Sequence, residues 1–214
     1  IKILFDFMEQ NIECGVCGGN LYDIDLKPTH SFLVDLPYMT LKTEFDSYLN
    51  IVSKLYRKLR KKRKDFNYNN APQKVGYITG ADMMIRKKVL DKVGMFDRDF
   101  FMYSEEVELT YRIYKAGYTS FSVPQAKIIH LEGRSTIFKE NKVRMMLESK
   151  YKYFYKTADL KTCEYAYYIS QLGHLLFLVL RLDKDYWKMY KINKEEYQKF
   201  LQDDKVKKKR VINK

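Results

Sequence analysis

The chain has 214 residues, 46% hydrophobic and 15% aromatic, which excludes an intrinsically disordered chain and allows one domain with a real core plus an extension. Its net charge of +13 is concentrated: residues 57–64 carry seven basic side chains and 205–210 carry five, with no acid in either, so removing those twelve leaves +1. With the remainder near neutral, and no helix–turn–helix, zinc-finger or ribonucleoprotein pattern, nucleic acid is not the expected partner.

In chain order, Ile1, Leu4, Phe5 and Met8 fall at helical spacing. Cys14-Gly-Val-Cys17-Gly-Gly imitates a metal knuckle or redox pair, yet only Cys163 remains as a further thiol. A structural zinc site wants four ligands, and Gly18-Gly19 is a poor helix start, so a strand is expected. Asp23-Ile-Asp25 stands between Gly-Gly-Asn-Leu-Tyr and Leu-Lys-Pro and reads as turn punctuation. His30 lies in a polar loop. Leu49, Val52, Leu55, Tyr56 and Leu59 form one helical stripe running into the first basic cluster. Residues 49–64 are therefore expected either to meet an anionic membrane surface or to form a solvated helix face.

Val75 to Ile85 is rich in apolar and β-branched residues and reads as one buried strand. Arg86 to Val93 carries helical spacing and stops at Gly94, the expected left-handed residue. Phe96, Phe100, Phe101 and Tyr103 make an aromatic loop. Ser104 is the expected N-cap of a helix from Glu105 to Ala116, ended by Gly117. Within it Glu108 and Arg112 are one turn apart and can pair. Tyr118 to Val123 alternates like a strand, Pro124 is expected to end it, and Lys127 to His130 resumes extended structure.

Beyond Asn141 the pattern is helical. Val143 to Lys156 forms one helix, and Tyr165 to Leu182 another that is strongly apolar but interrupted by Ser170, Gln171, Gly173 and His174. Those interruptions favour a core or dimer helix over a membrane-inserted one. Tyr186 to Leu201 continues helically, with a frayed lysine-rich end. His174, like His30, has no partner set and reads as structural.

The order Gly-Ala-Asp (80–82), Ile-Arg-Lys (85–87), Val-Gly-Met-Phe-Asp (93–97), Phe-Phe-Met-Tyr (100–103), Glu-Glu-Val-Glu-Leu (105–109), Arg112, Ala-Gly-Tyr (116–118), Val-Pro (123–124) and His130 resembles the C-terminal half of a family 2 glycosyltransferase, many members of which build bacterial surface polysaccharide. The resemblance covers about residues 1–156. It implies an α/β fold, the C-terminal part of a GT-A fold, with a mixed sheet and flanking helices over 1–140 and a helical extension over 141–214. It implies metal-dependent, inverting transfer of a sugar from a nucleotide-activated donor to a carbohydrate or lipid-linked acceptor. Glu106 then matches the general base that deprotonates the acceptor, by charge only, since the family's pair usually reads Glu-Asp. Glu105 matches the acid that orients the base or bonds acceptor hydroxyls. Asp82, with Gly80, Ala81 and Arg112, matches substrate-contacting positions. His130 matches a ligand of the divalent ion, Mg²⁺ or Mn²⁺, on the donor diphosphate.

A carboxylate that takes a hydroxyl proton contributes roughly 10²–10⁴-fold in rate, and a helix N-terminus is expected to keep it ionised near neutral pH. Taken alone, such acids merely decorate the first turn of a surface helix; the ordered motif around them favours the site. The family's Asp-x-Asp strand–helix half is not recognised here, and Asp23-Ile-Asp25 falls in a loop. The chain is thus expected to be a fragment, inactive in isolation. The competing class is a non-catalytic glycan-binding or membrane-associated module. Few cysteines, with no signal peptide and no clear spanning segment, point to the cytoplasm, peripheral to the inner face of the cell membrane, with a homodimer as a further expectation.

Overall fold

The structure is a computed structural model that describes residues 1–33, 41–42, 44–45, 65–131, 139–181 and 184–212. The stripe and basic cluster at 49–64 lie outside the described residues. Two compact units are present: the first contains the described residues of Ile1–Tyr38, Lys61–Arg98 and Glu105–Thr136, the second those of Met39–Arg60, Asp99–Ser104 and Ile137–Lys214.

The first unit opens with helix α1 (Lys2–Gln10), which buries Leu4 and Met8 one turn apart. Strand β1 (Cys14–Tyr22) follows and is buried along nearly its whole length. It pairs in parallel with β6 (Thr119–Ile129) and antiparallel with β5 (Met84–Ile85), and β3 (Gln73–Val75) closes the other edge against β6. The sheet order is β3-β6-β1-β5, and a separate antiparallel pair joins β2 (Phe32–Leu33) to β4 (Tyr77–Ile78). This is the mixed sheet with flanking helices that the resemblance implies.

The single strand expected over Val75–Ile85 is instead three short strands with three different partners. Gly76 donates its N–H to Leu33 O, and a turn closed by Asp82 N–H to Thr79 O separates β4 from β5. The apolar run is real, but apolarity alone does not say which ladder each pair of residues joins. Pro124 does not end its strand either. Gly18 pairs with Ser122 and Asn20 with Lys127, so five steps of β6 oppose two of β1. Pro124 sits within that irregularity, where no partner on β1 needs its missing N–H.

Each face of the sheet buries its own cluster. On one, α1 contributes Leu4 and Met8 to Cys14, Cys17, Phe121, Val123 and Ala126. On the other, Val16, Val75 and Ile78 meet Val89 of α2 (Lys87–Val93) and Leu109 and Ile113 of α3 (Glu105–Lys115). Full burial of a side chain such as Leu109 or Ile113 stabilises by about 1.5–3 kcal/mol. The cysteines thus serve as strand residues of the core, as their spacing led us to expect. Hydrogen bonding to Cys14, then burial, holds the Cys17 thiol far above its ordinary range. Arg86 reaches back to Met8 O, Asn11 O and Cys14 O, covering the carbonyl end of α1.

The second unit contains α4 (Lys139–Thr157), α5 (Leu160–Arg181) and α6 (Lys184–Ile212). The last helix runs on to Ile212 through the segment expected to fray. Phe177 packs on Tyr186 and Tyr167 stacks on Tyr197 at 4.3 Å, so α5 and α6 run antiparallel. The polar interruptions of α5 prove to be its buried side. Ser170 and Lys150 both bond Glu44 at 2.8 Å, and Gln171 accepts from Asn193, which itself accepts from Tyr151. His174, buried among them, is pushed down to about 4 by burial and by Lys150. Leu172, Leu175, Leu176 and Leu180 of α5 are exposed, so it is a core helix on one side only.

Candidate functional site

Two glycines of β1 let the site form. A Cβ on Gly18 would strike Asp82 O and Ile78, and one on Gly19 would strike the backbone of Ala126. Bare backbone at Gly18 lets the Thr79–Asp82 turn settle over β1, and at Gly19 it makes room for β6 at Ala126. There Gly19 N–H donates to Asp82 Oδ2 at 2.5 Å. Burial raises the Asp82 carboxyl above its ordinary value, and the Gly19 N–H pulls it back. Gly80 and Ala81 are the exposed corner of that turn, with Gly80 facing Glu106: a Cβ there would lie 3.8 Å from Glu106 Cβ. Gly80 and Glu106 are therefore neighbours, with Ala81 and Asp82 in the same turn as Gly80.

Glu105, Glu106 and Glu108 occupy the first turn of α3. Ser104 is not the extended cap expected for this helix. It has φ +62° and Tyr103 has φ +69°, two successive non-glycine residues in the left-handed region. Such residues cost on the order of 1–3 kcal/mol each and gather at functional sites.

The helix start does not keep Glu106 ionised in the way expected. Its own N–H and that of Val107 lower its pKa, but burial and then the Glu105 charge prevail and raise it from 4.5 to about 7. Glu105 Oε2 and Glu106 Oε2 are both buried with no hydrogen-bond partner among the described residues. A partly protonated carboxyl with a free oxygen can accept or release a proton near neutrality.

Tyr77 and Asp65 were not singled out in the sequence, and His30 was read there as structural. Tyr77, on β4, is pushed up to about 12 by burial, then by Glu106 and Asp65. Asp65 in turn lies 3.6 Å from His30 Nδ1. No signal marks this group, because its members come from separate loops and a two-residue strand.

Arg112 is a correction. Its Nε and Nη2 clasp both oxygens of Glu108 at 2.7 Å, and its Nη1 and Nη2 also donate to Val93 O, Gly94 O and Met95 O. Gly94 has the positive φ expected, +86°, and Arg112 bridges the turn it makes. The guanidinium is consumed by the fold rather than offered to a substrate. Arg112→Met should therefore destabilise the protein by about 3 kcal/mol, because Glu108 is left buried and unpaired. Urea titration checks this; a raised donor KM with unchanged stability would return Arg112 to the substrate.

His130 closes β6, its N–H donating to Tyr22 O. His130 is level with Tyr22, three residues beyond Gly19, or roughly 10 Å further along the strand. No hydrogen bond or ion pair joins its imidazole to Glu106. Among the described residues no three His, Cys, Asp or Glu side chains converge on a point where a cation could sit. His130 was expected as only one ligand of that ion, and no reaction step is routed through a metal. Asp23 caps its own turn, accepting from Asp25 and Lys27 N–H, as its punctuation implied.

A family model described as glycosyl transferase family group 2 matches residues 52–182. Two curated relatives from Mycobacterium tuberculosis, strains CDC 1551 / Oshkosh and ATCC 25618 / H37Rv, are each named N-acetylglucosaminyl-diphospho-decaprenol L-rhamnosyltransferase. Each is 40% identical over 62 residues, which is 29% of this chain and 20% of the relative. The match thus spans a fifth of the length of these relatives.

Proposed function

This chain belongs to glycosyl transferase family group 2, and on that premise we propose that it carries the acceptor side of an inverting sugar transfer with Glu106 as the base. The observation that carries this reading is the Glu106 carboxyl: raised to about 7, buried, and holding an unbonded oxygen beside the Gly80–Asp82 turn. In the reaction, Glu106 Oε2 takes the proton of the acceptor hydroxyl as that oxygen attacks the anomeric carbon. The bond from that carbon to the donor's diphosphate breaks on the opposite face, and the electron pair leaves with the nucleoside diphosphate. Glu105 raises the basicity of its neighbour and offers a second acceptor for substrate hydroxyls.

The relatives' name pairs a rhamnosyl donor with an N-acetylglucosaminyl diphosphate on decaprenol. By that likeness the donor class is a nucleotide-activated deoxyhexose and the acceptor a polyprenol-linked glycan at the inner face of a cell membrane, in surface polysaccharide synthesis. The test is transfer by the full-length protein from a panel of nucleotide sugars to a prenyl-diphosphate-linked saccharide, followed by mass spectrometry. Detection of product with inverted anomeric configuration supports the reading; donor hydrolysis without transfer, or retention, sinks it.

The pH dependence follows from the same carboxyl. A base must be ionised to act, so kcat/KM should rise with pH through a midpoint of about 7. Glu105→Gln removes a neighbouring negative charge and should move that midpoint toward acid. A profile flat between pH 5.5 and 8.5, or one unmoved by Glu105→Gln, would assign proton removal elsewhere.

A further inference from the structure

The loop that leads into β3 is pinned by buried amides. Asn67 and Asn20 are bonded to each other twice: Asn20 Nδ2 donates to Asn67 O at 2.8 Å, and Asn67 N–H donates to Asn20 Oδ1 at 3.3 Å. Asn67 also closes the loop on itself, its Nδ2 donating to Ala71 O and its Oδ1 accepting from Asn69 N–H. A buried polar pair whose bonds are met in this way holds one conformation. What this anchor presents is an aromatic side chain. Tyr68, 62% exposed, lies tilted on Phe66 at 4.8 Å, and Phe66 in turn meets Tyr22 edge-on at 5.3 Å.

Polar groups accompany the rings. Asp65 precedes Phe66, and its carboxylate lies 3.6 Å from His30 Nδ1, beyond hydrogen-bonding distance. The two side chains are 44% and 40% exposed, and no hydrogen bond among the described residues uses the polar atoms of either. Tyr22 ends β1, and His130, just past the end of β6, donates its N–H to Tyr22 O. The aromatic group is thus attached at the carboxyl ends of two parallel strands, where open α/β sheets take their ligands. The base is not remote from it, since Glu106 and Asp65 both act on the Tyr77 phenol.

We propose that Tyr68, with Asp65 and His30, forms a subsite for a neutral pyranose ring, the saccharide part of the acceptor. A pyranose carries C–H groups on its faces and hydroxyls around its edge. The Tyr68 ring matches a face. Asp65 accepts hydroxyl protons, and His30 bonds a further hydroxyl through a ring nitrogen. A nucleotide or diphosphate fits less well, because it would meet Asp65 as a like charge. The loop is already ordered by its asparagines, so binding spends little on fixing it. Assignment of the ring to the acceptor rests on the transfer reaction proposed for Glu106; the binding itself does not.

Saturation-transfer NMR of the full chain, titrated with methyl β-D-glucopyranoside, reads the subsite without any transfer. The ring C–H protons of the glycoside should receive saturation. Tyr68→Ala should weaken binding about tenfold, whereas Tyr68→Phe, which keeps the ring, should bind as the unsubstituted chain does. Asp65→Ala should cost a similar factor. In the full-length protein both alanine variants should raise the acceptor KM about tenfold, with kcat and the donor KM unchanged. Absence of saturation transfer, binding indifferent to both alanine variants, or inorganic pyrophosphate that displaces the glycoside overturns the subsite. A raised donor KM beside an unchanged acceptor KM overturns its assignment to the acceptor. Glu106→Gln should leave glycoside binding intact, so loss of the base leaves the subsite standing. An empty subsite in turn leaves the role of Glu106 standing.

Discussion

Glu106→Gln is expected to lower turnover by roughly 10²–10⁴-fold while raising the melting temperature above neutral pH. Glutamine keeps the shape and the neighbouring N–H contacts but cannot take the acceptor's proton. The stability effect has the opposite sign for a reason. The Glu106 carboxyl is raised from 4.5 to about 7 in the folded protein, so the fold binds its proton more tightly than the unfolded chain does. Its contribution to stability is complete below about pH 4.5 and is lost as pH rises toward 7. By pH 8 the buried carboxylate costs roughly 3 kcal/mol, on the order of 1.4 kcal/mol per pKa unit. Glutamine removes that cost. Steady-state kinetics together with thermal melts at pH 5 and pH 8 check both halves. Retained turnover, or a variant that melts lower at both pH values, would remove Glu106 from the proposed role.

The second large effect is expected from Gly19→Ala. The new methyl would collide with the carbonyl and Cβ of Ala126, where both partners belong to paired strands and neither is the loose end of a side chain. Destabilisation of about 3 kcal/mol, the upper part of the range for overpacking, should appear as lost soluble yield and a lowered melting point. Gly19 N–H also holds Asp82, so surviving protein should lose activity as well. Gly80→Ala is the informative comparison. Its methyl would meet only Glu106 Cβ at 3.8 Å, an ordinary contact. It should melt close to the unsubstituted protein, and any change in it should appear in acceptor binding. Equal stability of Gly19→Ala and Gly80→Ala would show that β1 does not need bare backbone against Ala126.

Much is legible in the amino-acid order because it depends on local chemistry. Helix α1 announced itself by the spacing of Leu4 and Met8, α3 by its acids, its Glu108–Arg112 pair and its closing Gly117, and α4 to α6 by sustained helical patterning. The ordered motif from Gly80 to His130 was sufficient for the family, since each element keeps its place along the chain whatever the details of pairing.

Contacts distant in sequence were not legible. Periodicity records which side chains are apolar, not which strand supplies the hydrogen bonds, so Val75–Ile85 was read as one strand when it joins three ladders. Pro124 was judged by its own missing N–H, without the irregular pairing that makes that loss harmless. Arg112 was assigned by position in a motif, whereas its carbonyl partners lie 17 to 19 residues away. The charge state of Glu106 needed the most: a helix start favours the anion, and only burial beside Glu105 reverses the balance. The amino-acid order settled helices, turns and family membership, because those follow from neighbours along the chain. Which oxygen is free, which base is half-protonated and which leucines meet the solvent came from packing, because desolvation and pairing depend on groups that only folding brings together.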